Sequence, residues 1–134
     1  MTAVPRYLER KWLRVLPVTL VMGIIFILSH QPGGSFSLPK ISNIDKVLHC
    51  LLYAVLGLAS LWALSSQFRQ QRPVLAGVGV VLFCLLYGIS DEFHQSFIPG
   101  RSCDVFDVLA DAYGGVLAAG CGWGWQLWRE SGRG

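Results

Sequence analysis

Val74 to Arg101 reads VLAGVGVVLFCLLYGISDEFHQSFIPGR. No charged side chain occurs from Val74 to Ser90, a stretch close to the roughly 20 residues that cross a bilayer as a helix. Then Asp91, Glu92 and His94 arrive together, and Pro99-Gly100 breaks the chain just before Arg101. A charged side chain at the centre of a membrane helix costs roughly 2.5–3.5 kcal/mol on insertion scales. An apolar segment ending in ionisable groups therefore reads as a span with a functional end.

The same pattern recurs on either side. Apolar stretches also run over Trp12–Ser29, Lys46–Leu64 and Val105–Trp128, joined by Gln31–Ser35, Gln67–Arg72 and Phe97–Arg101. The chain is 53% hydrophobic and 14% charged, against about 25% charged in soluble domains. Its mean hydropathy is +0.50. These values exclude an ordinary soluble surface. The expected fold is all-α: a single membrane domain over residues 1–134, a bundle of four transmembrane helices at about 12–29, 46–64, 74–90 and 105–128. Arg6, Arg10, Lys11 and Arg14 before Val15–Leu28 resemble a signal peptide, but Ser29–Gly34 lacks a small-residue cleavage pattern, so an uncleaved first helix is expected.

Lysine and arginine counts set the expected orientation. One side holds Arg6, Arg10, Lys11, Arg14, Arg69, Arg72, Arg129 and Arg133; the other holds Lys40, Lys46 and Arg101. Both termini are expected in the cytoplasm, with Trp12, Trp123, Trp125 and Trp128 in the interfacial belt there. The net charge of +3 is dispersed over segment ends, which is no nucleic-acid signature. Cys50, Cys84 and Cys121 lie in apolar segments and Cys103 in a polar loop; neither a structural disulfide nor a thiolate metal site is expected.

Six of the eight acidic residues lie in or beside the spans: Asp45, Asp91, Glu92, Asp104, Asp107 and Asp111. All fall toward one membrane face, expected to be the outer one. Residues three or four apart share a helix face. Asp45, His49 and Tyr53 form one such stripe, Asp104, Asp107 and Asp111 another, and Tyr87, Asp91 and His94 or Gln95 a third if that helix continues so far. Gly114, Ala118 and Gly122 continue the acidic stripe with small residues that admit a close neighbour. Polar groups in such bundles also serve as packing glue, the expectation for Thr19 and Ser60. Asp45 and Asp104 also suit helix N-termini, which leaves Asp91, Glu92, Asp107 and Asp111 without that explanation. His30 reads as an interfacial loop residue, and Lys46 as a side chain snorkelling to the interface.

The run Tyr87–Arg101 resembles the hallmark of the VanZ-like family. Asp45-Lys46-Val47-Leu48-His49 with Tyr53 and Gly57 resembles its upstream segment, and Asp104, Asp107, Ala110 and Gly114 its downstream one. The resemblance covers roughly residues 28–120. Where the family usually has Asn, this chain has Asp111. The resemblance implies a small multi-helix protein of the bacterial cytoplasmic (inner) membrane, in a family named for a member linked to teicoplanin resistance. It brings no established reaction with it.

The residues suggest an enzyme acting on a membrane lipid or lipid-linked cell-wall precursor. His49 and His94 suit general acid–base work near neutral pH, oriented by Asp45 and Asp91 respectively. Glu92, Asp104 and Asp107 are further catalytic candidates. Arg101, presented to the acids by the Pro99-Gly100 turn, suits phosphate, with Gln95 and Tyr53 beside it in substrate binding. A divalent metal is a possible cofactor, with His49, His94 and Asp91 as candidate ligands. A non-catalytic protein that binds or shields an envelope lipid or the antibiotic is the alternative. A proton relay or transporter fits less well, because the polar groups gather at one face. No nucleic-acid partner is expected; a homo-oligomer is compatible with the pattern.

Overall fold

The computed structural model describes residues 6–35 and 43–132. Five helices follow in order: α1 (Arg6–Ser29), α2 (Ile44–Ala63), α3 (Ser66–Gln71), α4 (Pro73–Gln95) and α5 (Val105–Ser131). The described residues include no strand. α1, α2, α4 and α5 contain the spans, each long and apolar enough to cross a membrane. Lys40 and Arg133, used in the orientation argument, lie outside the described residues, as do the side chains of Arg6, Arg10 and Lys11.

Local chemistry explains the boundaries. Pro73 opens α4, where its missing N–H has no partner to lose. Asp104 caps α5 by accepting from the Phe106 N–H at 2.8 Å. The segment expected as a plain connection at Gln67–Arg72 instead contains α3. Ser65 caps this helix by accepting from the Phe68 N–H at 3.1 Å, and six polar-rich residues show no apolar period to announce it. The largest extension is at the end of α4, which runs past Ser90 to Gln95. Asp91, Glu92 and Gln95 are therefore helical residues on a buried face rather than loop residues.

α2, α4 and α5 pack as a triad, and α1 lies against its flank, mainly on α2. The seams are lined with small residues. A Cβ on Gly114 would come within 2.5 Å of the Cys50 carbonyl oxygen and 2.7 Å of the Ala54 nitrogen on α2. Gly57 admits the Ala118 methyl, and Gly115 sits against Val81 and Cys84 of α4. Close backbone approach of this kind replaces the hydrophobic drive that lipid does not supply. Leu82, Leu86, Ile89 and Phe93 on α4, like Leu20, Ile24 and Ile27 on α1, point outward, where lipid suits them. The pattern is thus apolar outside, with small and polar residues inside.

Candidate functional site

The polar stripes meet at one end of the bundle, where α1 and α4 end and α2 and α5 begin. They divide into separate networks rather than one pool.

The first lies at the α2–α4–α5 seam. His49 Nδ1 and Asp111 Oδ1 are 2.9 Å apart, and Asp111 is fully buried. His49 Nε2 lies 3.9 Å from Asp107 Oδ2, too far for a hydrogen bond. Glu92, 4% exposed, accepts the Asp104 backbone N–H on Oε2 at 2.8 Å. Among the described residues its Oε1 has no partner, and neither does Asp111 Oδ2 or the buried Tyr53 hydroxyl. The Tyr53 ring lies nearly parallel to His49, 6.5 Å between centroids.

Lys46 organises the rim of this centre. Its ammonium donates to Asp45 and Asp104 at 2.7 Å each and to Asp107 at 3.0 Å. An ammonium has three protons, so all are engaged. Lys46 clamps the start of α2 to the start of α5 rather than snorkelling. The hydrogen bond from Lys46 also holds the Asp104 carboxyl below its ordinary range.

The second network ties α1 to α4. Ser29 donates to Asp91 Oδ2 at 2.8 Å, and Gln95 Nε2 donates to the same oxygen at 3.1 Å. Arg101 donates from Nε to the Gln31 carbonyl, from Nη1 to Gln95 Oε1 and from Nη2 to the Leu28 carbonyl. It thereby braces carbonyls at the end of α1, adding to the Gln31 N–H that already donates to the Leu28 carbonyl at 3.3 Å. The Gly33 N–H donates to the Pro99 carbonyl at 3.0 Å. A side chain on Gly33 would collide with the backbone of Gly100.

A third, more exposed pairing joins His30 Nδ1 to His94 Nε2 at 3.2 Å, with Phe26 stacked on His30 and tilted against His94.

Several expected pairings are corrected. Asp45 does not orient His49; its partner is Lys46, and Asp111 holds the imidazole. Asp91 does not orient His94, because Asp91 is turned to Ser29 and Gln95. The Pro99-Gly100 turn presents Arg101 to α1 carbonyls and Gln95 rather than to the acids. His30 lies in the turn just past α1, as expected, and pairs there with His94. The expected metal set of His49, His94 and Asp91 is split across the three networks. The set that does converge is His49, Glu92 and Asp107, one ligand atom from each lying within 4.8 Å of the others. Asp45, Asp104 and Asp107 also converge, but on Lys46. Sequence spacing places Asp111 on the Asp107 face, but its pairing with His49 is not encoded there.

A cavity of about 320 Å³ opens between α1, α2 and α4. Asp45, His49, Asp91, Gln95 and Arg101 contribute its polar lining; Ile25, Leu28, Leu48 and Leu52 contribute apolar walls. Arg101 carries five N–H donors, of which three are used by its partners above. Such a space suits an amphipathic molecule, with its polar end among ionisable groups.

A family model described as VanZ/LLP1 matches residues 13–128. An uncharacterized protein of Schizosaccharomyces pombe is 30% identical over 102 residues, which is 75% of this chain. The chain spans only 59% of that relative's length. No solved structure matches. The chain belongs to the VanZ/LLP1 family.

Proposed function

We propose that this VanZ/LLP1 family member is a membrane-embedded enzyme that hydrolyses or transfers a group at the head of a membrane lipid. The observation that carries the reading is His49: an imidazole fixed by buried Asp111 and lining an amphipathic cavity at one end of the bundle. Acyl chains would lie along Ile25, Leu28, Leu48 and Leu52, with the head among His49, Asp91, Gln95 and Arg101. The unengaged donors of Arg101 suit phosphate oxygens. With Nδ1 held, Nε2 is the ring nitrogen that remains to act on substrate, on water or on an activating group.

Two substrate classes fit this chemistry, a phospholipid and a lipid-linked cell-wall precursor. Similarity to a yeast protein favours the phospholipid, because yeasts make no peptidoglycan. The lysine and arginine distribution favours placing the site at the outer leaflet, in a bacterial cytoplasmic membrane with both termini inside. Teicoplanin resistance would follow only if the product alters what the antibiotic meets at the envelope.

The test uses full-length protein in nanodiscs of defined phospholipids, with and without lipid-linked precursor, read by mass spectrometry. Wild type and His94→Ala are expected to release the same product, and His49→Ala to release none. No lipid conversion by wild type would sink the enzymatic reading in favour of binding alone, and conversion undiminished in His49→Ala would sink the assignment of the chemistry to His49.

A further inference from the structure

We propose that His49, Glu92 and Asp107 bind a divalent metal ion of the Zn²⁺ or Mn²⁺ class, with Asp111 positioning His49 from behind. The inference deepens the headgroup reading of the same centre and rests on it for the ion's use, but the ion itself is tested without turnover.

Charge is the first argument. Among the described residues, Asp45, Glu92, Asp104, Asp107 and Asp111 surround one lysine and one imidazole. Lys46 meets three of these carboxylates and neither Glu92 nor Asp111. Carboxylates at membrane depth require a counter-charge, and Lys46 is already saturated.

The second argument is an unpaired atom. Glu92 is 4% exposed, and its Oε1 has no hydrogen-bond partner among the described residues. A buried carboxylate oxygen left so costs the full desolvation of that atom. A cation between Glu92, Asp107 and His49 removes that cost.

Geometry is the third. The Nδ1 contact to Asp111 leaves Nε2 on the side of Asp107. Carboxylate-held histidines of this kind are the usual metal-ligand arrangement, because the second bond fixes tautomer and ring orientation. Lys46 takes Asp107 Oδ1, and Oδ2 lies 3.9 Å from His49 Nε2. Ligand distances of about 2.0–2.2 Å in a tetrahedral site put neighbouring ligand atoms about 3.4 Å apart. Closure of that pair by about half an ångström, and of the pairs with Glu92, which lie within 4.8 Å, by at most about 1.4 Å, therefore seats the ion. One nitrogen and two carboxylates, with no thiolate, fit Zn²⁺ and Mn²⁺. Three protein ligands leave a coordination position for water or a phosphate oxygen.

The experiment uses the full chain in nanodiscs, stripped with chelator and titrated with Mn²⁺ under electron paramagnetic resonance. The expected result is one ion per chain with a nitrogen coupling. Glu92→Gln and Asp107→Asn should each weaken binding by more than about 100-fold, and Asp111→Leu by roughly 10–100-fold. His49→Ala should remove the nitrogen coupling; His94→Ala should leave binding unchanged. Wild type without a stoichiometric ion, or with an ion lacking nitrogen coupling, overturns the proposal whatever the variants do. Lipid turnover with no ion bound overturns the ion alone. A bound ion with no lipid turnover overturns the headgroup chemistry alone.

Discussion

The α2–α5 seam and the α1–α4 flank use similar side chains for different ends. At the seam, glycines bring backbones together, and the carboxylates of Glu92 and Asp111 retain unpaired oxygens. At the flank, Ser29, Asp91, Gln95 and Arg101 spend their hydrogen bonds on one another and on α1 carbonyls. A partly satisfied buried polar group is a poised one, whereas a satisfied one is a fastener. The contrast teaches that an intramembrane acid marks chemistry only when its partners leave it something to do.

The largest expected effect separates two buried aspartates. Asp111→Leu should lower lipid turnover by about 10²–10⁴-fold, the usual worth of a positioned acid–base group. Asp91→Leu should lower turnover only a few-fold and instead loosen α1, read as faster amide exchange over residues 22–31. Equal losses of turnover would erase the distinction. Asp111→Asn should keep most of the activity, because the amide oxygen can still accept from His49 Nδ1.

Packing comes next. Gly114→Leu forces a side chain into the Cys50 and Ala54 backbone and should cost about 3 kcal/mol, at the upper end for overpacking. Denaturation in mixed micelles measures it. Gly23→Leu on α1, with nothing within 4 Å of its Cβ position, should change stability little.

Arg101→Gln removes charge-assisted bonds to α1 and should cost about 1.5–3 kcal/mol in the same assay, with lipid turnover reduced less than stability. A total loss of turnover in a still-folded protein would instead make Arg101 a headgroup ligand first.

The smallest effect concerns pH. Lys46 lowers the Asp104 pKa from its ordinary 3.8. A lowered pKa contributes stability that is present above the unfolded value and lost as pH falls through the folded one. The thermal midpoint of wild type should exceed that of Asp104→Asn near neutrality, and the gap should close below pH 3.8. Asn retains the capping oxygen, so a gap that persists in acid would show that the effect of Asp104 does not come from its ionised pairing with Lys46.

Much of this was legible in the sequence because spans and faces are periodic properties. The run from Val74 to Ser90 announced a membrane helix, and Gly114, Ala118 and Gly122 announced a close neighbour. Periodicity states which residues share a face, but not how that face is rotated against its neighbours. The partners of Asp45, Asp91, Lys46 and Arg101 were therefore misjudged, each resting on proximity along the chain or on a generic tendency. Asp111 holds His49 across 62 positions, a pairing that no local spacing encodes. The pairing of His30 with His94 is likewise beyond local spacing, because the two lie near the ends of different helices. The helix α3 was missed for a different reason: a single capped turn and a half is too short for an apolar period to develop.

The fasteners on α1 are unevenly placed along its length. Tyr87 donates to the Met22 carbonyl at 2.8 Å, Ser29 reaches Asp91, and Arg101 grips Leu28 and Gln31; all lie in the second half of the helix or just beyond it. Under mechanical load applied at the Arg6 end, α1 should peel from the triad like a zip, meeting little resistance until Met22. The force should then rise in steps at Met22, Ser29 and the arginine clasp, while the remaining three long helices stay folded.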